Sequence, residues 1–187
     1  RDVIRYGIEP ELLELVTALQ NEKDDTFNPD LLVLLGETRS PRLREALLRF
    51  FTVREWPGAV PAAVSLLDGR DQESAQSVNA ALGYLSAVKA REGIPEAREI
   101  VESRESKYLS PAIRLLGRAG GAPETDLLLG LYESEESSDS LRQDVILALG
   151  EIGAQAAVES LMKTLDDTAG KKGTRMFAAE ALGKIKD

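Results

Sequence analysis

Four glycines keep step along this chain. An apolar stretch ends on a small-residue step as ALGYL at Ala81 to Leu85, LLGRA at Leu115 to Ala119, LALGEIG at Leu147 to Gly153 and ALGKI at Ala181 to Ile185. Gly83 to Gly117 is 34 residues, Gly117 to Gly150 is 33 and Gly150 to Gly183 is 33. A fixed period of a few tens of residues marks units that cannot bury an apolar face alone and stack on their neighbours to do so. Stepping backwards, LREALLRFFT at Leu43 to Thr52 aligns with LRQDVILALG at Leu141 to Gly150. That places Thr52 at the glycine position, and one further step ends near Leu19. The repeat covers nearly the whole chain.

Each unit reads as two helices. In the first, A, residues such as Leu141, Val145, Ile146, Leu149 and Ile152 fall on one side of a 3.6-residue period; in the second, B, Ala157, Val158, Leu161 and Leu165 do the same. The spacing predicts A helices near 10–22, 41–54, 72–90, 108–118, 139–152 and 174–186, and B helices near 29–36, 58–67, 95–103, 123–133 and 155–165. Asn28-Pro29 and Ser40-Pro41 suit N-cap and N1 positions, because a proline has no N–H to lose there. Pro111 starts or kinks the helix that it sits in.

Composition agrees with an all-α chain. Of 187 residues 43% are hydrophobic and only 5% aromatic, so Leu, Ala and Val fill the apolar positions and suit thin helical layers. There is no cysteine and no histidine, which removes disulfides, thiolate sites, the commonest general base and the commonest transition-metal ligand. The net charge of −9 argues against a surface for nucleic acid, whose non-specific affinity comes from Lys and Arg neutralising phosphates. No apolar run approaches the roughly 20 residues that span a bilayer. The start, RDVIRYGIEP, lacks the apolar block of a signal peptide, and the absence of an initiator Met gives the expectation of a segment of a longer chain. The compartment stays open, cytoplasmic or exported with its signal removed.

Residues 140–167 and 173–185, with ALGxIG closing the A helix and AAVxxLMxxLxD in the B helix, resemble HEAT repeats of the short bacterial type, also found in bilin-lyase-like proteins. The resemblance implies a right-handed α-α superhelix, a HEAT-like solenoid of about five and a half helix pairs forming one domain over 1–187. The chain departs from the pattern where Thr52 replaces the glycine, where Phe50 and Phe51 replace small residues, and where the third A helix is expected to run on through SAVKAREG.

Several features carry competing readings. The repeated glycines are each isolated within a helix, so they read as points of close helix approach and not as a phosphate loop. The stretch Glu133 to Ser140 is acidic but lacks the Gly-centred spacing of a calcium loop; it reads as a solvated turn ending in an N-cap. Gly170-Lys171-Lys172-Gly173 reads as a basic turn. Trp56, the single tryptophan, anchors a partner if exposed and covers its turn if buried. Of Phe50 and Phe51, which diverge by about 100° around a helix, one belongs to the core.

In HEAT-like solenoids the B helices line the inner surface. The glycine alignment places Pro61 and Ser65, Glu96 and Glu99, Asp126 and Gly130, and Glu159 and Lys163 on the solvent side of those helices. The candidate partner-binding residues are Pro61, Ser65, Glu99, Asp126, Gly130, Glu159, Lys163 and Trp56. The carboxylates are spread over successive layers with no nucleophile or base beside them, so the row predicts no catalytic, metal or cofactor site. The function expected is a non-catalytic binding or scaffolding module for a protein or peptide, with the acidity of the chain favouring a basic partner. The alternative is a structural spacer or oligomerisation segment, since Phe177, Ala178, Ala181, Leu182 and Ile185 on the last A helix await cover from a continuation or a second copy. Among enzymes of similar fold, a His-ligated hydroxylase is excluded by the missing histidines and a DNA glycosylase by the charge; a bilin lyase is the enzymatic reading that the repeat pattern leaves open.

Overall fold

The computed structural model describes residues 1–20, 22, 24–134 and 138–186, and among them every regular element is helical. The chain divides into two compact units, Arg1–Gly93 and Ile94–Asp187. The first holds α1 (Asp2–Tyr6), α2 (Glu9–Leu19), α3 (Asn28–Glu37), α4 (Pro41–Val53), α5 (Val60–Asp68) and α6 (Ala75–Ala87). The second holds α7 (Ile94–Glu102), α8 (Leu109–Ala119), α9 (Thr125–Glu133), α10 (Asp139–Ile152), α11 (Val158–Asp166) and α12 (Lys172–Lys186). The eleven helices expected from the apolar spacing are all present, and α1 is an addition.

Local chemistry sets the helix starts. The Oγ of Ser40 accepts from Leu43 N–H at 3.2 Å, that of Ser74 from Ser77 N–H at 3.1 Å, and that of Ser138 from Leu141 N–H at 3.2 Å, each satisfying an N–H that the first turn leaves orphaned. Asn28 is not a cap. It is the first residue of α3, and its buried side chain turns back to donate to Asp25 Oδ1 at 3.1 Å. Pro111 sits in the first turn of α8, where the ring is tolerated without a kink.

Three A helices, α4, α6 and α10, end on one device, whereas α8 ends on an extended Gly120. Glu55, Lys89 and Gly153 take positive φ, at 49°, 53° and 72°. Behind them Trp56, Ala90 and Ala154 donate N–H to the carbonyls of Phe51, Leu85 and Leu149 at 3.1, 2.9 and 3.0 Å, a left-handed cap that closes the A helix. This overturns the expected run of the third A helix through SAVKAREG: α6 stops at Ala87 because Lys89 turns the chain.

In each unit a B helix packs on the A helix that follows it, α3 on α4 and α5 on α6, then α7 on α8, α9 on α10 and α11 on α12. Successive A helices also pack on one another, α2, α4 and α6 in the first unit and α8, α10 and α12 in the second. The C-terminal helix is therefore better covered than its sequence suggests. Ala178, Ala181 and Ile185 are buried as α12 packs on α10 and α11, Phe177 and Leu182 are half-buried, and Met176 and Ala179 are exposed. Phe50 and Phe51 are both core, edge to face with centroids 5.4 Å apart. Arg54 lies over Phe50, 4.4 Å from its centroid, and donates to Leu19 O at 2.8 Å, to Glu22 O and to Asp25 Oδ1 at 2.7 Å, so one guanidinium ties the end of α2 to the end of α4.

The repeated glycines do not share one role. A Cβ on Gly117 would lie 2.6 Å from Ala148 Cα and one on Gly150 would lie 2.8 Å from Ala181 Cα; these two are the close approaches expected. Gly83 and Gly183 face open space, with nothing within 4 Å, so close approach is not their role. The four alanine variants should therefore split in sign. Gly117→Ala and Gly150→Ala should each lose about 1–3 kcal/mol through overpacking, while Gly83→Ala and Gly183→Ala should gain about 0.5–1 kcal/mol through helix propensity. Urea denaturation of the four variants measures this, and a uniform sign across them would refute the packing assigned to Gly117 and Gly150.

Candidate functional site

Seven of the eight B-helix residues expected at the solvent side are exposed. Pro61 and Ser65 are exposed on α5, Glu99 on α7, Asp126 and Gly130 on α9, and Glu159 and Lys163 on α11; Glu96 is half-buried. Apolar neighbours at helical spacing fix this orientation: Ala63, Leu66 and Leu67 are buried on α5, Ala97, Ile100 and Val101 on α7, and Leu128 and Leu131 on α9.

Polar contacts tie neighbouring B helices of the second unit together. Arg98 on α7 donates to Glu124 Oε1 at 2.5 Å, just before α9. Glu133 on α9 accepts from Ser160 on α11 at 3.3 Å, and Tyr132 hydrogen-bonds Thr164. Glu124 is a buried carboxylate, held also by Gly121 N–H at 2.7 Å, and the sequence reading missed it. Its signal was present in the alignment, since Ala157 holds the same buried turn position one unit later.

Charges on the row are partly spent within it. Lys163 Nζ lies 2.8 Å from Glu159 Oε1 one turn away. The hydrogen bond and attraction of each partner lower the Glu159 carboxyl and raise the Lys163 amine from their ordinary values. The two groups together present a neutral, exposed pair.

Pro61 and Ser65 open onto a cleft of about 840 Å³ in the first unit. Val60, Val64 and Val88 give it an apolar floor, and Asp68, Lys89 and Glu92 are its charged residues. Nothing in the sequence separates this stretch of α5 from the other B helices, because Val88 and Glu92 reach the cleft from the turn after α6. Gly130 meets nothing within 4 Å of where a Cβ would stand, so no neighbouring layer approaches it.

Trp56 sits beside that cleft, half-buried. Its ring packs on Phe51 at 4.9 Å between centroids, its carbonyl accepts from Tyr84 Oη at 2.7 Å, and a Cβ on Gly58 would strike the indole at 2.3 Å. It covers its turn. Burial pushes the Tyr84 hydroxyl up to about 12, with the Ala59 backbone pulling part of the way back.

A second cleft, of about 500 Å³, lies in the second unit among Tyr132, Arg142, Lys163, Lys171, Thr174 and Arg175. Its only sequence signal was the GKKG run, because its other cations come from α10, α11 and α12. Residues 135–137 of the acidic stretch lie outside the described residues; Ser138, which follows them, provides the N-cap expected there.

Helix pairs repeated at a fixed period, with no strand among the described residues and conserved packing roles for the A helices, define an all-α, HEAT-like helical-repeat protein. The family model described as Spirochaete HEAT repeat protein matches residues 4–187, and the chain belongs to that family. Comparison with curated proteins gives no match. Among the described residues no helix is long and apolar enough to cross a membrane.

The turn at Trp56 makes two linked predictions. Gly58→Ala should lower stability by about 1–3 kcal/mol and shift the emission of the single tryptophan. The raised Tyr84 value means that the fold favours the neutral phenol: its contribution is complete below the ordinary value of 10.0 and is lost as pH rises toward about 12. The urea midpoint of the wild type should thus fall more steeply than that of Tyr84→Phe between about pH 10 and pH 12. Parallel curves would show that the phenol does not carry the loss.

Proposed function

We propose that the chain is a non-catalytic protein-binding scaffold that holds a protein or peptide segment on the exposed row of its B helices. Membership of a HEAT-repeat family supports the coarse reading, a helical-repeat scaffold for protein interaction. The single observation that carries the finer one is the α5 cleft, in which Pro61 and Ser65 stand over Val60, Val64 and Val88. Such a floor takes apolar side chains of a partner, and Asp68 and Glu92 at its edge favour a segment with basic residues beside them. Gly130 adds to this. An exposed glycine inside a helix costs about 1 kcal/mol relative to alanine, and with no layer approaching it that cost matches close approach by a partner backbone.

Photo-crosslinkers at Ser65 and Gly130 test the reading, with Glu180 on α12 as the control. The expected outcome is a protein captured at Ser65 and lost in Asp68→Lys/Glu92→Lys, and capture at Gly130 lost in Glu99→Lys/Asp126→Lys, with the fold unchanged by circular dichroism. Equal capture at Glu180, or capture indifferent to the reversed charges, would refute it.

Self-association is the second reading, favoured by one observation: Tyr6 is 82% exposed and Ile8 65% exposed, next to exposed Val3. Sedimentation velocity across a wide concentration range separates the two. A self-associating chain should dissociate in Tyr6→Ser/Ile8→Ser, whereas a chain that is monomeric at every concentration excludes this reading.

A further inference from the structure

The clefts of this molecule differ in charge. In the one over α8, α10 and α12, Arg114, Arg118 and Lys184 are matched by Asp144, Glu151 and Glu180. In the α5 cleft Lys89 is outweighed by Asp68 and Glu92. The cleft at the α11–α12 turn reverses the sign: Arg142, Lys163, Lys171 and Arg175 line it against Asp139 and Asp167. With Lys163 already paired to Glu159 outside the lining, a surplus of one positive charge gathers there on a chain of net charge −9.

Its cations are held in place by the fold. Arg175 donates through Nη1 to the carbonyls of Asp167, Thr168 and Gly170 at 3.0, 2.9 and 3.0 Å, so a guanidinium fixes the turn. Arg142 donates through Nη2 to Ser134 O at 3.1 Å. The two acids of the lining are already engaged: Asp167 Oδ1 accepts from Ala169 and Gly170 N–H at 3.1 Å each, and Asp139 pairs with Lys171. Hydroxyl groups complete the wall, with Tyr132 and Thr164 hydrogen-bonded to each other and Thr174 in the first turn of α12. Guanidinium groups present planar, charged donors that match the oxygens of a tetrahedral anion, and two of them, Arg142 and Arg175, line this cleft.

We propose that this cleft binds a phosphoryl group, carried either on a small phosphate ester or on a phosphorylated side chain. Arg142 and Arg175 face the anion from two helices, Lys163 and Lys171 close the two sides, and the hydroxyls supply neutral donors. Asp139 and Glu159 are the built-in competitors, because they hold Lys171 and Lys163 while the cleft is unliganded.

The test is amide NMR titration of the full chain with pyrophosphate and, separately, with a short phosphoserine peptide; chloride at matched ionic strength is the control. Saturable shifts are expected at Gly170, Lys171 and Thr174, and whichever probe saturates at the lower concentration names the source. Arg142→Gln/Lys171→Gln should weaken binding at least about tenfold, the loss expected of charge-assisted hydrogen bonds. Asp139→Asn should strengthen it several-fold, a gain that damage to the fold cannot imitate, and Lys184→Gln should leave it unchanged. Shifts that follow chloride, that persist in the double variant, or that do not strengthen in Asp139→Asn would overturn the proposal.

Discussion

The distance between successive A helices governs this fold, and the residue at the glycine step sets it. In the second unit Gly117 lies on Ala148 and Gly150 on Ala181 with backbone nearly touching backbone, which leaves room for no Cβ. Helices that approach so closely interlock the flanking side chains and bring polar groups on their outer faces within reach. Ser110 meets Asp144, Gln143 meets Thr174 at 3.4 Å, and Lys184 meets Glu151 at 2.6 Å. The partners of each pair are separated by about one repeat, so the sequence period reappears as a period of contacts. In the first unit Thr52 stands where the glycine would be, its hydroxyl returned to Leu48 O at 2.8 Å. There Glu45 with Gln76 joins α4 to α6, and Arg44 with Glu73 joins α4 to the turn before α6. The groove over Thr52 measures about 580 Å³, against about 320 Å³ over Gly117 and Ala148.

The turn from A helix to B helix is the second fixed point, and its departures are where individual chemistry enters. The left-handed cap delivers the next residue into the interior, which suits the small, buried Ala90 and Ala154. In the second repeat that residue is Trp56, and the surroundings answer with Gly58 under the indole and Tyr84 on the carbonyl. At the end of the following 3-10 turn, Ala59 and Ala157 are buried and Glu124 takes the same place before α9. A buried carboxylate is tolerated only with partners, here Arg98 and the Gly121 amide.

What was legible in the sequence followed from local rules. Helix positions came from apolar spacing, which a 3.6-residue period turns directly into a buried stripe, and the solvent-facing residues of α5, α7, α9 and α11 were readable for the same reason. The end of α6 was not, because SAVKAREG holds no proline and no glycine before its last residue, and the residue that turns the chain is a lysine in a conformation that side chains usually avoid. The glycines show a different limit. Gly83 and Gly150 sit in nearly identical motifs, yet a Cβ would strike a neighbouring residue at Gly150 and nothing within 4 Å at Gly83; a residue's own context does not report what lies opposite. The basic cleft was hidden likewise, since Arg142 and Arg175 stand 33 residues apart and only stacking by one repeat makes them neighbours.

The same stacking decides where such a chain can carry function. Positions on the A helices are bound to their neighbours through close approach and interlocking, so a change there is felt in the next layer. Exposed positions on the B helices such as Ser65, Asp126 and Gly130 lie outside that interlocking, and their side chains can be chosen for an outside partner without disturbing the stack. Not every charge placed there counts. Glu159 and Lys163 neutralise each other within α11, so the charge that this row offers is not read from residue type alone.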